Sequence, residues 1–122
     1  MKKILVVDDE KEIRELIKDR LSQNKFEVIL AQDAKEALRI CKTNPPDLIL
    51  LDIAMPEIDG YETCKRLKQE KSTKDIPVIF LTGKDLAPEA ILDHCRDLSA
   101  AGYTSKLSTL KELIDKVKEA LR

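Results

Sequence analysis

Polar side chains that can do chemistry follow three of the most apolar runs in this sequence, at the point where each run ends. Runs without polar alternation are typical of strands that are buried on both faces of a parallel sheet. In such sheets ligands bind beyond the carboxyl ends of the strands, so we expect these side chains to meet in one crevice. They are Asp8 and Asp9 after residues 4–7, Asp52 after residues 48–51, and Thr82 after residues 78–81.

The residue types in this predicted crevice indicate a metal and a phosphoryl group. The carboxylates of Asp8, Asp9 and Asp52 would repel one another unless a cation or hydrogen bonds compensate. All candidate ligands are oxygens, which favours Mg²⁺, and Mg²⁺ in turn suits phosphoryl chemistry. Lys106 follows the last predicted strand and would supply a cation, while Thr82 would supply a hydroxyl donor for phosphoryl oxygens. A carboxylate nucleophile in this setting gives an aspartyl phosphate.

Helix start signals separate the apolar runs. Asp33 and Thr109 each precede a glutamate by three residues, which resembles a capping box, and Asp59 can cap a helix in the same way. Pro88 suits the first position of a helix. The first helix is predicted from a stripe of apolar residues at helical spacing, which comprises Ile13, Leu16, Ile17 and Leu21.

This alternation predicts an α/β fold with a doubly wound, five-stranded parallel sheet. Right-handed crossovers place five helices on its two faces, in the flavodoxin-like form with strand order 2-1-3-4-5. The predicted second strand, residues 26–31, is interrupted by Glu27, which suits a sheet edge, and the last strand, residues 101–105, is short. Strands one and three then flank the point where the strand order reverses, so Asp8, Asp9 and Asp52 should converge.

Size and composition limit the classes of protein to consider. The chain has 122 residues, which fits one domain, and its 22 Lys and Arg against 23 Asp and Glu give a net charge of -1. We therefore expect no direct binding of nucleic acid and, without a long apolar run, no membrane span and a cytoplasmic location. Cys41, Cys64 and Cys95 lack any paired spacing and are interpreted as packing residues, and His94 has no second ligand at metal spacing.

In these residues the chain, over essentially its whole length of residues 1–122, resembles a receiver domain of the two-component response regulators. Five motifs in matching order and spacing carry the resemblance, together with an aromatic residue three positions before the last of them. The motifs are Val6-Val7-Asp8-Asp9, Asp52, Met55-Pro56-x-x-Asp59-Gly60, Thr82 and Lys106, and the aromatic residue is Tyr103.

The resemblance implies a phosphorylation switch rather than an enzyme with a separate substrate. Asp52 would accept a phosphoryl group from a histidine kinase or a histidine phosphotransfer protein, and the domain would assist its own phosphorylation and dephosphorylation. Asp8, Asp9, Asp52 and the backbone carbonyl of Ala54 would hold Mg²⁺. Thr82 and Tyr103 would transmit the change to a surface of the fourth helix, fifth strand and fifth helix, for a downstream protein target that the sequence does not identify.

Several positions depart from the family pattern. Leu107 follows Lys106 where the family usually has a proline after a cis peptide bond, and a cis bond before another residue costs about 2.5 to 4 kcal/mol. Gly83 stands where alanine is common, and Ser99 replaces a common glycine. Ala54 and Lys84 occupy the two positions that flank the approach to the phosphoryl site.

Other functions compete with this interpretation. A magnesium-dependent aspartyl-phosphate phosphatase of the haloacid dehalogenase type wants a second aspartate two residues after the first, where Ala54 stands. A flavodoxin-like flavin site needs a phosphate loop after the first strand, and the acids at residues 8–10 would repel a phosphate. A phosphate-relay intermediate without output switching, and a degenerate receiver that only docks partners, also remain open.

Overall fold

The predicted alternation of strands and helices is present in the structure. The computed structural model describes residues 1–83 and 87–122. The strands are β1 (Lys3–Val7), β2 (Glu27–Ala31), β3 (Leu48–Asp52), β4 (Val78–Thr82) and β5 (Gly102–Ser105). The helices are α1 (Lys11–Ser22), α2 (Ala34–Thr43), α3 (Gly60–Gln69), α4 (Pro88–Asp97) and α5 (Leu110–Ala120).

The strands form one parallel sheet in the predicted order, β2-β1-β3-β4-β5. β1 and β3 are neighbours, with Val7 paired to Leu51, so Asp8 and Asp52 follow directly at the same edge. At the other side of β3, Asp52 pairs with Leu81, and Thr82 pairs with Ser105 of β5. The sequence prediction that the interrupted second strand lies at a sheet edge is confirmed.

The sheet is covered on both faces because successive side chains of each strand point in opposite directions. In β1, Leu5 and Val7 belong to a core cluster with residues of α2, α3 and α4. Ile4 and Val6 belong to a second cluster with residues of α1 and α5. β3 and β4 are buried at every position, which explains why their sequences carry no polar alternation.

Three of the predicted helix caps are formed. Asp33 Oδ1 accepts a hydrogen bond from the Glu36 N–H at 2.8 Å, and Asp59 Oδ1 accepts one from the Glu62 N–H at 2.8 Å. Thr109 Oγ1 accepts one from the N–H three residues on, at 3.1 Å. Pro88 is the first residue of α4. These contacts satisfy N–H groups that the first helical turn leaves without a partner.

Some local predictions were wrong. Leu16, predicted on the buried stripe of α1, is 42% exposed, whereas Ile17 and Leu21 are buried. β2 and β5 each begin one residue later than predicted. The many charges of residues 65–74 predict a solvated segment, but it is not wholly exposed, because Thr73 is buried and its hydroxyl donates to the Leu67 carbonyl at 2.6 Å.

The departures from the family pattern have local structural consequences. Ser99 follows α4 with φ of 55° and lies in the left-handed region, where glycine is favoured and other residues are strained. Glu57, in the loop after β3, also has a positive φ, of 67°. No cis peptide bond occurs among the residues that the structure describes, so the bond between Lys106 and Leu107 is trans. Lys84 lies outside the described residues.

Candidate functional site

Lys106 joins the ends of three segments at the carboxyl edge of the sheet. Its Nζ lies 2.9 Å from Asp8 Oδ2, 3.1 Å from Asp52 Oδ1 and 3.2 Å from Glu10 Oε1. The backbone N–H of Lys106 donates to the Thr82 carbonyl at 3.0 Å, which fixes the segment after β5 to the end of β4. The structure therefore brings Asp8, Asp52, Thr82 and Lys106 together as the sequence predicted.

Asp8 is positioned from α1 as well as from β1. The Glu10 N–H donates to Asp8 Oδ1 at 2.8 Å, and the Arg14 guanidinium donates to the Asp8 carbonyl at 2.8 Å. The Asp8 N–H donates to the carbonyl of Ala31 in the edge strand at 3.1 Å. These bonds tie both the backbone and one carboxylate oxygen, so Asp8 has little freedom to leave the crevice.

The backbone around Asp52 is held by a close approach from α3. A Cβ on Gly60 would overlap the Asp52 carbonyl oxygen and lie 2.8 Å from Ile53 Cα, so only glycine fits there. The Gly60 N–H also donates to the Ile53 carbonyl at 2.8 Å. On the side-chain side, the Ala54 N–H donates to Asp52 Oδ1 at 3.3 Å. The residues from Met55 to Gly60 thus form a loop that returns to brace the end of β3.

The crevice has more buried negative charge than the chain neutralises. Asp8 and Asp52 are 0% and 1% exposed, yet one ammonium group serves both. Asp52 Oδ2 has no hydrogen-bond partner among the described residues, and Asp8 Oδ2 has none of suitable geometry despite lying near Lys106. A buried oxygen without a partner is costly, so this arrangement favours a further cation or proton.

Burial is the main reason why the carboxyl groups hold their protons more tightly than in water. It raises the pKa of Asp52 to about 7, with the Asp8 charge acting in the same direction, Lys106 opposing it, and the neighbouring Asp9 carboxyl adding to the rise. Burial likewise raises the pKa of Asp8. Burial alone would lower the pKa of Lys106, but the two carboxylates outweigh it and raise that pKa, so Lys106 stays charged.

The donor set fits a hard divalent cation. One carboxylate oxygen from each of Asp8, Asp9 and Glu10 lies within 4.8 Å of the others, and all are oxygen donors. Asp52 Oδ2 is a further buried oxygen, and it has no hydrogen-bond partner among the described residues. Asp9 and Glu10 are exposed, which leaves room for the waters that Mg²⁺ usually keeps.

Thr82 and Tyr103 lie on the neighbouring strands β4 and β5. Thr82 is buried at the end of β4, and Tyr103 is half-buried on β5 next to Phe80 in the strand register. Tyr103 packs against the core cluster that includes Ile91 and Cys95 of α4. Asp59 caps α3 and is not part of the crevice cluster among the described residues.

Two residues of the crevice were not given a site role from sequence. Glu10 was noted only as a third acid that would repel phosphate, yet its carboxylate contacts Lys106 and joins the acidic cluster. Its position directly after two aspartates was the available signal. Arg14 had no sequence signal, because its contact with the Asp8 carbonyl depends on the angle at which α1 leaves β1.

The remaining notable residues lie away from the crevice. Cys41, Cys64 and Cys95 are buried and unpaired, as predicted for packing residues. His94 is exposed on α4 and stacks on Tyr61 of α3, with ring centroids 3.7 Å apart. Within residues 1–83 and 87–122, none of the helices has the length and apolar content that a bilayer crossing requires.

The raised pKa of Asp52 predicts a stability that depends on pH in the absence of divalent ions. The folded state binds this proton more tightly than the unfolded chain does. Its contribution to the free energy of unfolding is therefore complete below the ordinary pKa of 3.8 and is lost as pH rises through about 7. Between pH 5 and 8 we expect the free energy of unfolding to fall by about 2 to 3 kcal/mol through this group. Urea unfolding in EDTA should show the fall in the parent and a clearly smaller one in Asp52→Asn, where only the raised pKa of Asp8 remains.

Asp59→Asn is the matched control, because asparagine also caps helices and Asp59 is exposed. It should keep the pH dependence of the parent protein. An equal fall in Asp52→Asn would place the titrating group elsewhere.

Comparisons with known proteins identify the family. The family model of the response regulator receiver domain matches residues 4–118. The chain is 41% identical over 121 residues to the alkaline phosphatase synthesis transcriptional regulatory protein PhoP of Bacillus subtilis, covering 99% of this chain and 49% of that protein. It is 38% identical over 120 residues to the response regulator MprA of a Mycobacterium species, covering 98% of this chain and 50% of that protein. The chain thus spans about half the length of these relatives.

Solved structures agree with this result. A putative response regulator from Chloroflexus aurantiacus superimposes with a TM-score of 0.91 at 32% identity, covering 98% of this chain and 97% of that one. The chemotaxis protein CheY4 of Vibrio cholerae gives a TM-score of 0.91 at 28% identity, covering 99% of both chains. With five parallel strands in the order 2-1-3-4-5 and a family match over nearly its whole length, the chain belongs to the response regulator receiver domain family.

Proposed function

We propose that this domain is a phosphorylation-activated switch in which Asp52 accepts the phosphoryl group, and that residues 1–122 act as one receiver unit. The observation that carries the proposal is the position of Lys106, whose Nζ lies 2.9 Å from Asp8 and 3.1 Å from Asp52 in a crevice with an unpartnered Asp52 oxygen. That oxygen is available as a nucleophile. The donor is a phosphorylated histidine on a histidine kinase or a histidine phosphotransfer protein.

The transfer is an in-line displacement at phosphorus. An Asp52 carboxylate oxygen forms a bond to phosphorus while the phosphorus–nitrogen bond of the donor histidine breaks. The electron pair of that bond stays on the departing imidazole, which takes up a proton from water. Lys106 lies within reach of the oxygens that gain charge, and the Thr82 hydroxyl at the neighbouring strand end is a donor for one of them.

Mg²⁺ is the cofactor that we propose, and it would supply charge neutralisation at the phosphoryl oxygens. Asp8, Asp9 and Asp52 would hold it, with the Ala54 carbonyl as a further oxygen and with Glu10 as a ligand that the sequence did not suggest. The cation would also change the protonation of the nucleophile, because an Asp52 pKa of about 7 leaves much of the carboxyl protonated near neutral pH. Positive charge near Asp52 lowers that pKa and increases the nucleophilic fraction.

The switch itself would run through Thr82 and Tyr103. A phosphoryl group on Asp52 attracts the Thr82 hydroxyl, and its displacement leaves room for the half-buried Tyr103 ring to turn inward. Because Tyr103 packs on the cluster that α4 shares, that turn would alter the surface of α4, β5 and α5. The coupling free energy between two such sites, here the phosphoryl site and the distant surface, is typically about 1 to 3 kcal/mol.

The other proposed properties follow from the same chemistry. The domain assists its own phosphorylation and has no separate substrate, and its net charge of -1 gives no reason for direct binding to nucleic acid. A cytoplasmic location is proposed because the kinases and phosphotransfer proteins that would serve as donors act there. A magnesium-dependent phosphatase is disfavoured, since Ala54 stands where that class carries its second aspartate.

Acetyl phosphate with Mg²⁺ should phosphorylate the isolated chain at Asp52, because the carboxylate, the metal ligands and Lys106 are all on this chain. Intact-mass spectrometry should show a gain of one phosphoryl unit, which EDTA abolishes. Asp52→Asn should not gain the label, whereas Asp59→Asn, which changes a helix cap outside the crevice, should gain it normally. Labelling of Asp52→Asn at parental rate would refute the assignment.

Beryllofluoride with Mg²⁺, a stable mimic of the bound phosphoryl group, should shift amide NMR signals both beside Asp52 and across α4, β5 and α5. Thr82→Ala should still bind the mimic but lose most of the distant shifts, because it lacks the hydroxyl that moves. Asp59→Asn, which changes a helix cap outside the crevice, is the control, and it should keep the distant shifts. Shifts confined to the crevice in the parent protein would make a phosphate-relay intermediate the better description.

A further inference from the structure

Helix α3 separates two grooves of similar size and opposite charge on one face of the domain. The groove between α2 and α3 has a volume of about 490 Å³, and the groove between α3 and α4 has a volume of about 470 Å³. We call the first the basic groove, rimmed by Lys35, Arg39, Lys42 and Arg66. We call the second the acidic groove, lined by Asp59, Glu62 and Asp97 with Lys65 as the opposing charge.

Three cations of the basic groove form a continuous row. Lys35, Arg39 and Lys42 stand at positions i, i+4 and i+7 of α2, so they lie on one face and span about 10 Å along the helix axis. All three are exposed, and none has an ion pair among the residues that the structure describes. Arg66 faces them from α3, and its pair with Glu62 at 3.3 Å is exposed and therefore weak.

The floor of the basic groove is apolar. Leu38 and Ile58 line it, and both are half-buried side chains that pack against the core cluster beneath α2, α3 and α4. Glu57 is the one acid among the described residues that line this groove. The net charge of the lining is strongly positive, although the whole chain carries -1.

We propose that the basic groove is a docking site for an acidic amphipathic helix of a partner protein. An amphipathic helix lays its apolar face into a groove between helices, and here aliphatic side chains would cover Leu38 and Ile58. Glutamates or aspartates on its flanks would meet Lys35, Arg39 and Lys42 on one side and Arg66 on the other. Two turns of such a helix match the length of the cationic row.

The groove is poorly suited to a phosphate-bearing small molecule. At the start of α2, where free N–H groups would attract a phosphate, the Glu36 N–H already donates to the Asp33 carboxylate at 2.8 Å. The four cations are exposed at the rim, and Glu57 would repel a dianion. Mixed apolar and cationic lining instead matches a peptide that carries both kinds of side chain.

This surface is distinct from the one proposed to respond to phosphorylation. α4 lies on the other side of α3 from the basic groove, β5 is the edge strand beside β4, and α5 packs on the opposite face of the sheet, so both surfaces can be occupied together. Glu57 and Ile58, however, belong to the loop from Met55 to Gly60 that braces the end of β3 beside Asp52. A helix bound in the groove would therefore contact the loop of the phosphoryl site from its outer side.

The test is an amide NMR titration of the whole chain with a synthetic helical peptide of about 15 residues. The peptide carries leucine at i, i+3, i+4 and i+7 and glutamate on its flanks, and a second peptide carries lysine in place of each glutamate. We expect the acidic peptide to bind with a Kd below about 1 mM at low salt and to shift signals of Leu38, Arg39, Lys42 and Ile58. The lysine peptide should leave these signals unchanged.

Two double variants with the same change in net charge distinguish peptide binding in the basic groove from general electrostatic attraction to the domain. Arg39→Glu with Lys42→Glu should weaken binding at least about tenfold, which is typical for reversal of facing charges. Lys65→Glu with Lys71→Glu makes the same change in net charge at exposed positions outside the basic groove, and it should change Kd less than about twofold. ATP without Mg²⁺ serves as the small anionic ligand and should bind at least about tenfold more weakly than the peptide.

Four outcomes would overturn the proposal. The first is that the acidic peptide does not bind at about 1 mM, and the second is that its shifts centre on the acidic groove or on the Asp52 crevice. The third is that both double variants raise the peptide's Kd equally. The fourth is that ATP binds at the same residues as tightly as the peptide. The last outcome would mark a general anion site.

Discussion

At the carboxyl edge of the sheet a single ammonium group, that of Lys106, lies between two carboxylates that are almost wholly withdrawn from water. This arrangement leaves an excess of buried negative charge, with oxygens of Asp8 and Asp52 that have no hydrogen-bond partner of suitable geometry among the described residues. Such charge is costly unless a proton or a cation joins it. The raised pKa of Asp52 and the fit to Mg²⁺ both follow from this deficit, and the phosphoryl group that we propose, being itself negatively charged, would need that cation beside it.

The rest of the fold serves to keep these charges close to one another despite their repulsion. Parallel pairing of β1 with β3 sets the spacing of Asp8 and Asp52, and both strands are fully buried from Ile4 to Val7 and from Leu48 to Asp52. The close approach of Gly60 to the Asp52 carbonyl prevents the end of β3 from relaxing outward. The stability of the sheet therefore keeps mutually repelling charges together at its edge. Unfavourable charge arrangements of this kind are common at functional sites.

Sequence alone predicted the strand order and the convergence of Asp8, Asp52, Thr82 and Lys106, because buried parallel strands impose an apolar run with a polar end. It did not predict the contact of Arg14 with the Asp8 carbonyl, which depends on the direction of α1 rather than on any local pattern. Leu16 was misplaced for a related reason, since helical spacing alone does not fix how wide the buried stripe is. The basic groove was also missed, because its cations come from separate helices that only the tertiary structure brings together.

The pKa of Asp52, measured by carboxyl-carbon NMR with and without Mg²⁺, tests the charge deficit most directly. In EDTA we expect a value of about 7, with burial as the main cause, and saturating Mg²⁺ should lower it clearly. Mutation of Lys106 to methionine should raise it further, since the one compensating charge is then removed. A value near the ordinary 3.8 in EDTA, unchanged by Mg²⁺, would contradict the claim that a deficit of positive charge governs this crevice.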